Sequence, residues 1–486
     1  MGVVVRQSIQ NTISTYLGFG LGAINTLVLY TRILPVSSYG LLSIQLSVAT
    51  LLLPLFLFGL PNTIIKFYHK NTSAEESARL NAFSLYFPVF FIFLAFVFVL
   101  TFKSGLFPFL LQKYAYVAPY SWHILGIGIG MTYFEIGYAQ ARVVLKTAFG
   151  NILKEIFHRL CIALGLIGLY LDWLTLEQFF VFLVGVHFLR ALVMYVYLWR
   201  YCDIFFSFKR PEKLKSYLNY SLFMFLGGTA AVVILEIDKL MIYTFVNIDQ
   251  VAFYTVAVFM ATIVGVPARS MYQITAPITA RLLHDNDFKG LQSLYNQSSL
   301  NLAMAAGGVL LLLAVNLETI YKFIPQAYGG TTVLVLLIGS SKFYDALLGN
   351  NNAILFNSPY YKSILRFGLF LAVVTVVLNY FFIPKFGIMG AAIASFLAIS
   401  LYDTAKVIYV NVKYNMHPFS RGTAYLLIII AASYTLAQWI PNLENRYMSI
   451  GVNTIFTAII YVGLLYFSKL SATFNGLVNR GKKRLF

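Results

Sequence analysis

The sequence predicts an all-α, polytopic membrane protein with about fourteen transmembrane helices, arranged as two six-helix bundles related as parallel repeats plus two appended C-terminal helices. Three observations carry this. Of 486 residues, 59% are hydrophobic and 11% charged, with a mean hydropathy of +0.77, whereas an ordinary soluble domain carries about 25% charged residues. Apolar stretches of roughly 20 residues, enough to cross a bilayer core of about 30 Å, recur along the whole chain. The charges fall mostly between those stretches and favour one side.

Each predicted span lies between charged or Pro/Gly breaks. The first, 9–33, stops before Pro35, and 41–61 runs from the Tyr39-Gly40 turn to the basic pair Lys66 and Lys70. Arg79 and Lys103 bracket 81–102, Lys113 and Arg142 bracket 117–139, Lys146 and Asp172 bracket 151–171, and Glu177 and Arg200 bracket 178–199. Span 217–245 follows Lys213 and Lys215; 251–277 lies between Asp249 and Arg281, and 296–317 between Lys289 and Glu318. Span 331–355 follows Gly329-Gly330, 364–383 ends at Pro384, and 387–410 ends before Lys413. The last two, 422–440 and 449–468, lie between Arg421 and Pro441 and between Arg446 and Lys469. Span 9–33 is too long for a signal-peptide core and is read as a membrane span. The opening Met1-Gly2-Val3-Val4-Val5-Arg6 lacks the hydroxyl residue of a myristoylation signal, so no lipid anchor is expected.

The net charge of +18 raises the question of a nucleic-acid surface. Placement answers it. With the N-terminus inside, 23 of the 35 Lys and Arg residues flank the inner ends, including Lys209, Arg210 and the tail Lys482-Lys483-Arg484; the outer side has five, Lys103, Lys113, Lys322, Lys385 and Arg446. This positive-inside asymmetry predicts both termini in the cytoplasm and excludes nucleic acid as a partner. The loops are short, leaving no room for a soluble catalytic domain, and no catalytic or nucleotide motif is present. Gly126-x-Gly128-x-Gly130 sits inside an apolar span and is expected to serve close helix packing. Cys161 and Cys202 are expected to be packing residues, and the scattered His123, His158 and His187 give no metal-ligand spacing. No cofactor is expected.

A shift of 212 residues lays Tyr39-Gly40-Leu41-Leu42-Ser43 on Val251-Ala252-Phe253-Tyr254-Thr255, with Ala49-Thr50 recurring as Ala261-Thr262. Parallel six-helix repeats start on the same side of the membrane. The expected division is 1–200 for the first bundle, 201–421 for the second and 422–486 for the appended helices and basic tail.

A charge at the bilayer centre costs about 2.5–3.5 kcal/mol on the insertion scale, so each intramembrane charge needs a partner or a hydrated cavity. Glu155 and Arg159, Glu236 and Lys239, Lys342 and Asp345, and Asp403 and Lys406 stand three or four residues apart and are predicted to share a helical face. Arg190 and Arg269 have no acid at such spacing and lie too deep to snorkel, so each needs an acid on another helix or an anionic ligand. Arg32 lies nearer the outer surface. Asn25 and Gln45 are polar at depth, as helix glue or cavity lining. The candidate cavity and anion-binding residues are Arg269, Arg190, Arg32 and Lys239, with Asn25 and Gln45 beside them; the candidate cation-coupling carboxylates are Asp238, next to Lys239, and Asp345, near Lys342.

Three stretches together resemble the polysaccharide-transporter branch of the multidrug/oligosaccharidyl-lipid/polysaccharide exporter superfamily: Arg32-Ile33-Leu34-Pro35 with Tyr39-Gly40-Leu41-Leu42-Ser43; Asp238-Lys239-Leu240-Met241-Ile242 leading to Val251-Ala252-Phe253-Tyr254; and Ile383-Pro384-Lys385-Phe386-Gly387-Ile388-Met389-Gly390-Ala391-Ala392-Ile393-Ala394. Ala252 departs from the family's more usual glycine. The resemblance implies a flippase that moves an isoprenoid-diphosphate-linked oligosaccharide from the inner to the outer leaflet of a bacterial cytoplasmic membrane, in O-antigen (lipopolysaccharide), capsule or exopolysaccharide assembly. It implies alternating access between two bundles, with Na⁺ or H⁺ as a coupling ion and a polymerase or glycosyltransferase as a partner. The alternatives are a cation-coupled drug antiporter of the same superfamily and, further off, a membrane glycan polymerase. The drug-antiporter branch typically has an acid in its first helix, whereas the first acid here is Glu75. The peptidoglycan-precursor branch tends to carry an early Arg-Asp pair, also missing.

Overall fold

The computed structural model describes residues 2–68, 73–104, 108–201, 205–360, 362–440, 443–471 and 474–476, the side chains of 2–9, 12, 269, 270 and 273 excepted. Cys202, the tail Lys482-Lys483-Arg484 and the side chain of Arg269 therefore lie outside the described residues.

Among the described residues there are helices and no strands. In chain order they are α1 (Gly2–Ala23), α2 (Tyr30–Ile33), α3 (Val36–Leu57), α4 (Leu60–Phe67), α5 (Ala74–Lys103), α6 (Pro108–Lys113), α7 (Ser121–Val143), α8 (Thr147–Ile152), α9 (His158–Tyr170), α10 (Leu176–Tyr201), α11 (Leu214–Phe245), α12 (Ile248–Thr262), α13 (Val266–His284), α14 (Phe288–Tyr321), α15 (Thr332–Leu347), α16 (Asn351–Asn357), α17 (Lys362–Tyr414), α18 (Arg421–Ala437) and α19 (Arg446–Ser468). Two π turns interrupt this pattern: Ile24–Leu29 joins α1 to α2, and Leu153–Phe157 joins α8 to α9. Every predicted span falls on a helix or a joined pair of helices. Among the described residues nine helices are long and apolar enough to cross a membrane, or ten if the bent pair α15 and α16 is one span.

Local chemistry explains the boundaries. Ser73 caps α5 by accepting from the Glu76 amide at 3.1 Å, Asp287 caps α14 through the Gly290 amide at 2.8 Å, and Ser420 with Thr423 forms a capping box on α18. The 53 residues of α17 would extend about 80 Å as one straight helix, far beyond a single crossing. Gly387, at φ 58° and ψ −137°, breaks it, in a conformation that a Cβ disfavours. The two spans predicted on either side of Pro384–Gly387 are thus adjoining crossings.

Contacts divide the chain into two compact units, Met1–Ala252 and Phe253–Phe486. In the first unit α7 packs on α3 and α10, and α11 packs on α3. Packing groups α11 with the first unit, whereas repeat counting starts the second bundle with it; the two divisions measure different things. The segment before α11 is tied to α5 by the buried Glu76, whose carboxylate accepts from the Glu212 amide at 3.1 Å, the Lys213 amide at 3.2 Å and the Tyr217 hydroxyl at 2.9 Å. In the second unit α18 and α19 pack on α14 around Ala303, Met304, Leu426 and Tyr461. Phe90, Phe93 and Phe98 of α5 and the tryptophans Trp173, Trp199 and Trp439 are exposed, as lipid-facing and interfacial aromatics are.

Candidate functional site

Both π turns of the first unit lie at one polar cluster. A π turn inserts a residue into the helical ladder and commonly marks a functional site. Asn25, in the first, is buried and donates from Nδ2 to the Arg159 carbonyl oxygen at 2.9 Å. The second carries Lys154 and Glu155. Lys154 Nζ lies 2.6 Å from Glu135 Oε1 on α7, and Arg159 Nη1 lies 3.1 Å from Glu155 Oε2. Lys154 is thereby drawn into the cluster.

Arg190 reaches the same place from α10. It is 5% exposed, and its guanidinium carbon stands 4.2 Å from the centre of the Phe134 ring, beside Glu135 in sequence. Among the described residues no ion pair joins Arg190 to a carboxylate; Glu135 pairs with Lys154 and Glu155 with Arg159. Arg190 Nε has no hydrogen-bond partner among the described residues, and neither has either ring nitrogen of the buried His187 three residues earlier. The His158 ring is 6.4 Å from that of His187. The approach of α7 to α10 requires Gly130, since a Cβ there would stand 2.8 Å from the His187 carbonyl carbon. Lys154 and Arg159 are each paired with a carboxylate, Glu135 and Glu155, whereas the Nε–H of Arg190 is left to donate to an anion.

Elsewhere in this unit, Lys239 pairs with Glu236 at 2.8 Å, and Ser47 Oγ donates to the same carboxylate oxygen at 2.7 Å, tying α11 to α3. Asp238 is buried and Arg32 is exposed. Gln45 is fully buried, with neither amide atom partnered among the described residues.

The second unit has its own polar site. Asp403 and Lys406 of α17 are both buried and form an ion pair at 2.7 Å; Lys406 Nζ also donates to Asn352 Oδ1 at 3.1 Å and lies 4.1 Å from the centre of the Tyr402 ring. Asn352 in turn lines a cavity of about 480 Å³ with Ala268, Met271, Tyr272, Asp345 and Asn351. Asp345 thus faces a cavity, while no ion pair joins it to Lys342 among the described residues. Sequence reasoning missed Glu135 and Asn352. Glu135 did carry a signal, as a carboxylate in an apolar span with no base three or four residues away.

No curated protein matches the chain in sequence. Among solved structures it is similar to the lipid II flippase MurJ in an inward closed conformation, with a TM-score of 0.73 at 12% identity over 94% of this chain and 98% of that one. It is also similar to an inward-facing multidrug resistance MATE family transporter of the MOP superfamily, with a TM-score of 0.64 at 13% identity over 85% of this chain and 98% of the other. A MOP superfamily transporter from Pyrococcus furiosus gives 0.55 at 12% identity, covering 85% of this chain and 95% of that one. These likenesses establish the fold. A family model described as polysaccharide biosynthesis protein matches residues 4–283, more than half of the chain, and the protein therefore belongs to that family.

Proposed function

We propose that the protein is a flippase, moving an isoprenoid-diphosphate-linked oligosaccharide from the inner to the outer leaflet of a bacterial cytoplasmic membrane by alternating access. One observation carries the reading: in the first unit, the buried Arg190 has an unpartnered Nε, while Lys154 and Arg159 are each held by a carboxylate. A diphosphate with sugars cannot cross hydrocarbon unaided, and a guanidinium fork matches phosphate oxygens bidentately. Family membership supplies the polysaccharide context. O-antigen, capsule or exopolysaccharide precursors fit it equally. In this reading both termini are cytoplasmic, and the repeat division at 200 and 421 marks the moving bundles. Arg269, Arg32 and Lys239 serve as further cavity cations, and Asp238 or Asp345 serves as the site where Na⁺ or H⁺ binding biases one facing state.

The test is reconstitution into liposomes with a fluorescent lipid-linked sugar. A charge-assisted contact is worth about 1.5–3 kcal/mol, or roughly 10- to 150-fold. Arg190→Ala is expected to lower the flipping rate within that range at unchanged protein level, with Arg190→Lys recovering only part. Full-rate flipping by the alanine variant would refute the role.

A further inference from the structure

The first unit contains a second cavity, of about 330 Å³, of a different character. Val48 and Leu52 of α3, Phe98 and Phe102 of α5, Leu125 of α7 and Leu240 of α11 form its walls. Ten residues of α7, about 15 Å at the helical rise, separate Leu125 from Glu135, so this space is distinct from the Arg190 cluster. Leu110 of α6 and Tyr114 close one side. The Tyr114 hydroxyl is committed to Thr244 Oγ1 at 3.2 Å, and its ring lies tilted against that of Tyr243, centre to centre 5.8 Å, so little polar surface is offered inward. Walls this apolar suit hydrocarbon better than water.

Cations stand beside it. Lys103 follows the wall residue Phe102, and Lys113 precedes Tyr114; both side chains are exposed. Lys103 Nζ is held near the Pro119 carbonyl oxygen at 3.4 Å, and Lys113 Nζ lies 5.9 Å from the Phe245 ring centre. These are two of only five basic residues on the side assigned as outer.

We propose that this cavity binds the hydrocarbon chain of an isoprenoid diphosphate, with Lys103 and Lys113 at its phosphates. The inference rests on the flippase reading and deepens it by giving the lipid end of the substrate a seat. Charge selects this occupant: two ammonium groups beside one apolar seat match the higher charge of a diphosphate better than that of a single phosphodiester.

The experiment uses the full-length protein in nanodiscs and a diazirine-tagged polyisoprenyl diphosphate without sugar, with adducts mapped by peptide mass spectrometry. Adducts are expected in residues 44–52 and 110–125. Val48→Trp, which fills the cavity, and Lys103→Gln with Lys113→Gln, which leaves it open, should each lower that labelling about tenfold, equivalent to about 1.4 kcal/mol. The lysines are exposed, so their variant keeps the fold even if the tryptophan does not. The proposal is overturned if neither variant changes the labelling, or if a diazirine-tagged phosphatidylglycerol labels the same peptides equally well. Adducts confined to residues 153–159 and 187–190 overturn the cavity assignment and leave the flippase reading standing. Absence of adducts anywhere, alongside undiminished flipping by Arg190→Ala, removes both.

Discussion

The buried pair Asp403–Lys406 allows a prediction whose size follows from geometry. At 2.7 Å and an effective dielectric of about 20, the attraction is ~6 kcal/mol. Taking each ion out of water costs several kcal/mol, so the intact pair contributes little net stability. Removing one partner is different, because a lone charge stays buried. Asp403→Asn or Lys406→Met alone should therefore destabilise the second unit by about 3–5 kcal/mol, a fall of roughly 6–20 °C in melting temperature for a unit of this size. The double variant should recover at least half of that, since no buried charge is left. Melting of purified protein by intrinsic fluorescence gives the four corners of the cycle. Single substitutions costing under about 1 kcal/mol, or a double variant costing the sum of the singles, would contradict the reasoning. Flipping assayed on the double variant separates the roles: retained activity means the pair only holds α17, and lost activity in a stable protein means that the charges act in transport.

Three further outcomes are expected. Glu76→Gln keeps the side-chain shape but loses an acceptor and the charge that holds three donors, costing about 2–4 kcal/mol; deuterium uptake across residues 205–213 should rise while uptake in α14 stays unchanged. Gln45→Met removes a buried, unpartnered amide and should raise the melting temperature by the equivalent of about 1 kcal/mol or leave it unchanged; a loss of flipping in the stabilised variant would instead assign the amide to transport. A single cysteine at Lys209, in a background with Cys161 and Cys202 replaced, should react with an impermeant maleimide only after cells are opened; labelling of intact cells would reverse the topology and undo the repeat argument.

The spans were legible because a bilayer imposes one length and one polarity on every crossing. Pro384 and Gly387 mark the break in α17 for a local reason, fixed φ in one and tolerance of positive φ in the other. The polar sites were legible only within single helices. Glu155 with Arg159, Glu236 with Lys239, and Asp403 with Lys406 form the ion pairs that their spacing predicts, while Lys342 and Asp345 do not, since Asp345 faces a cavity shared with Asn352. Spacing says which residues can share a face, not whether a neighbour from another helix competes for them. The link between Glu135 and Lys154 spans two helices and 19 residues, and it depends on how closely α7 approaches its neighbours. Gly130 allows that approach towards α10, and the π turn at Leu153–Phe157 rotates Lys154 and Glu155 away from the register of a regular helix. Nothing in hydrophobic periodicity encodes that rotation, so Arg190 shows in the sequence as a charge in need of a partner while its surroundings do not. The same logic gives the cluster its chemical meaning. Two of its three cations are already held by carboxylates at 2.6 and 3.1 Å, which leaves the stacked guanidinium of Arg190 as the group whose charge a phosphate can complete.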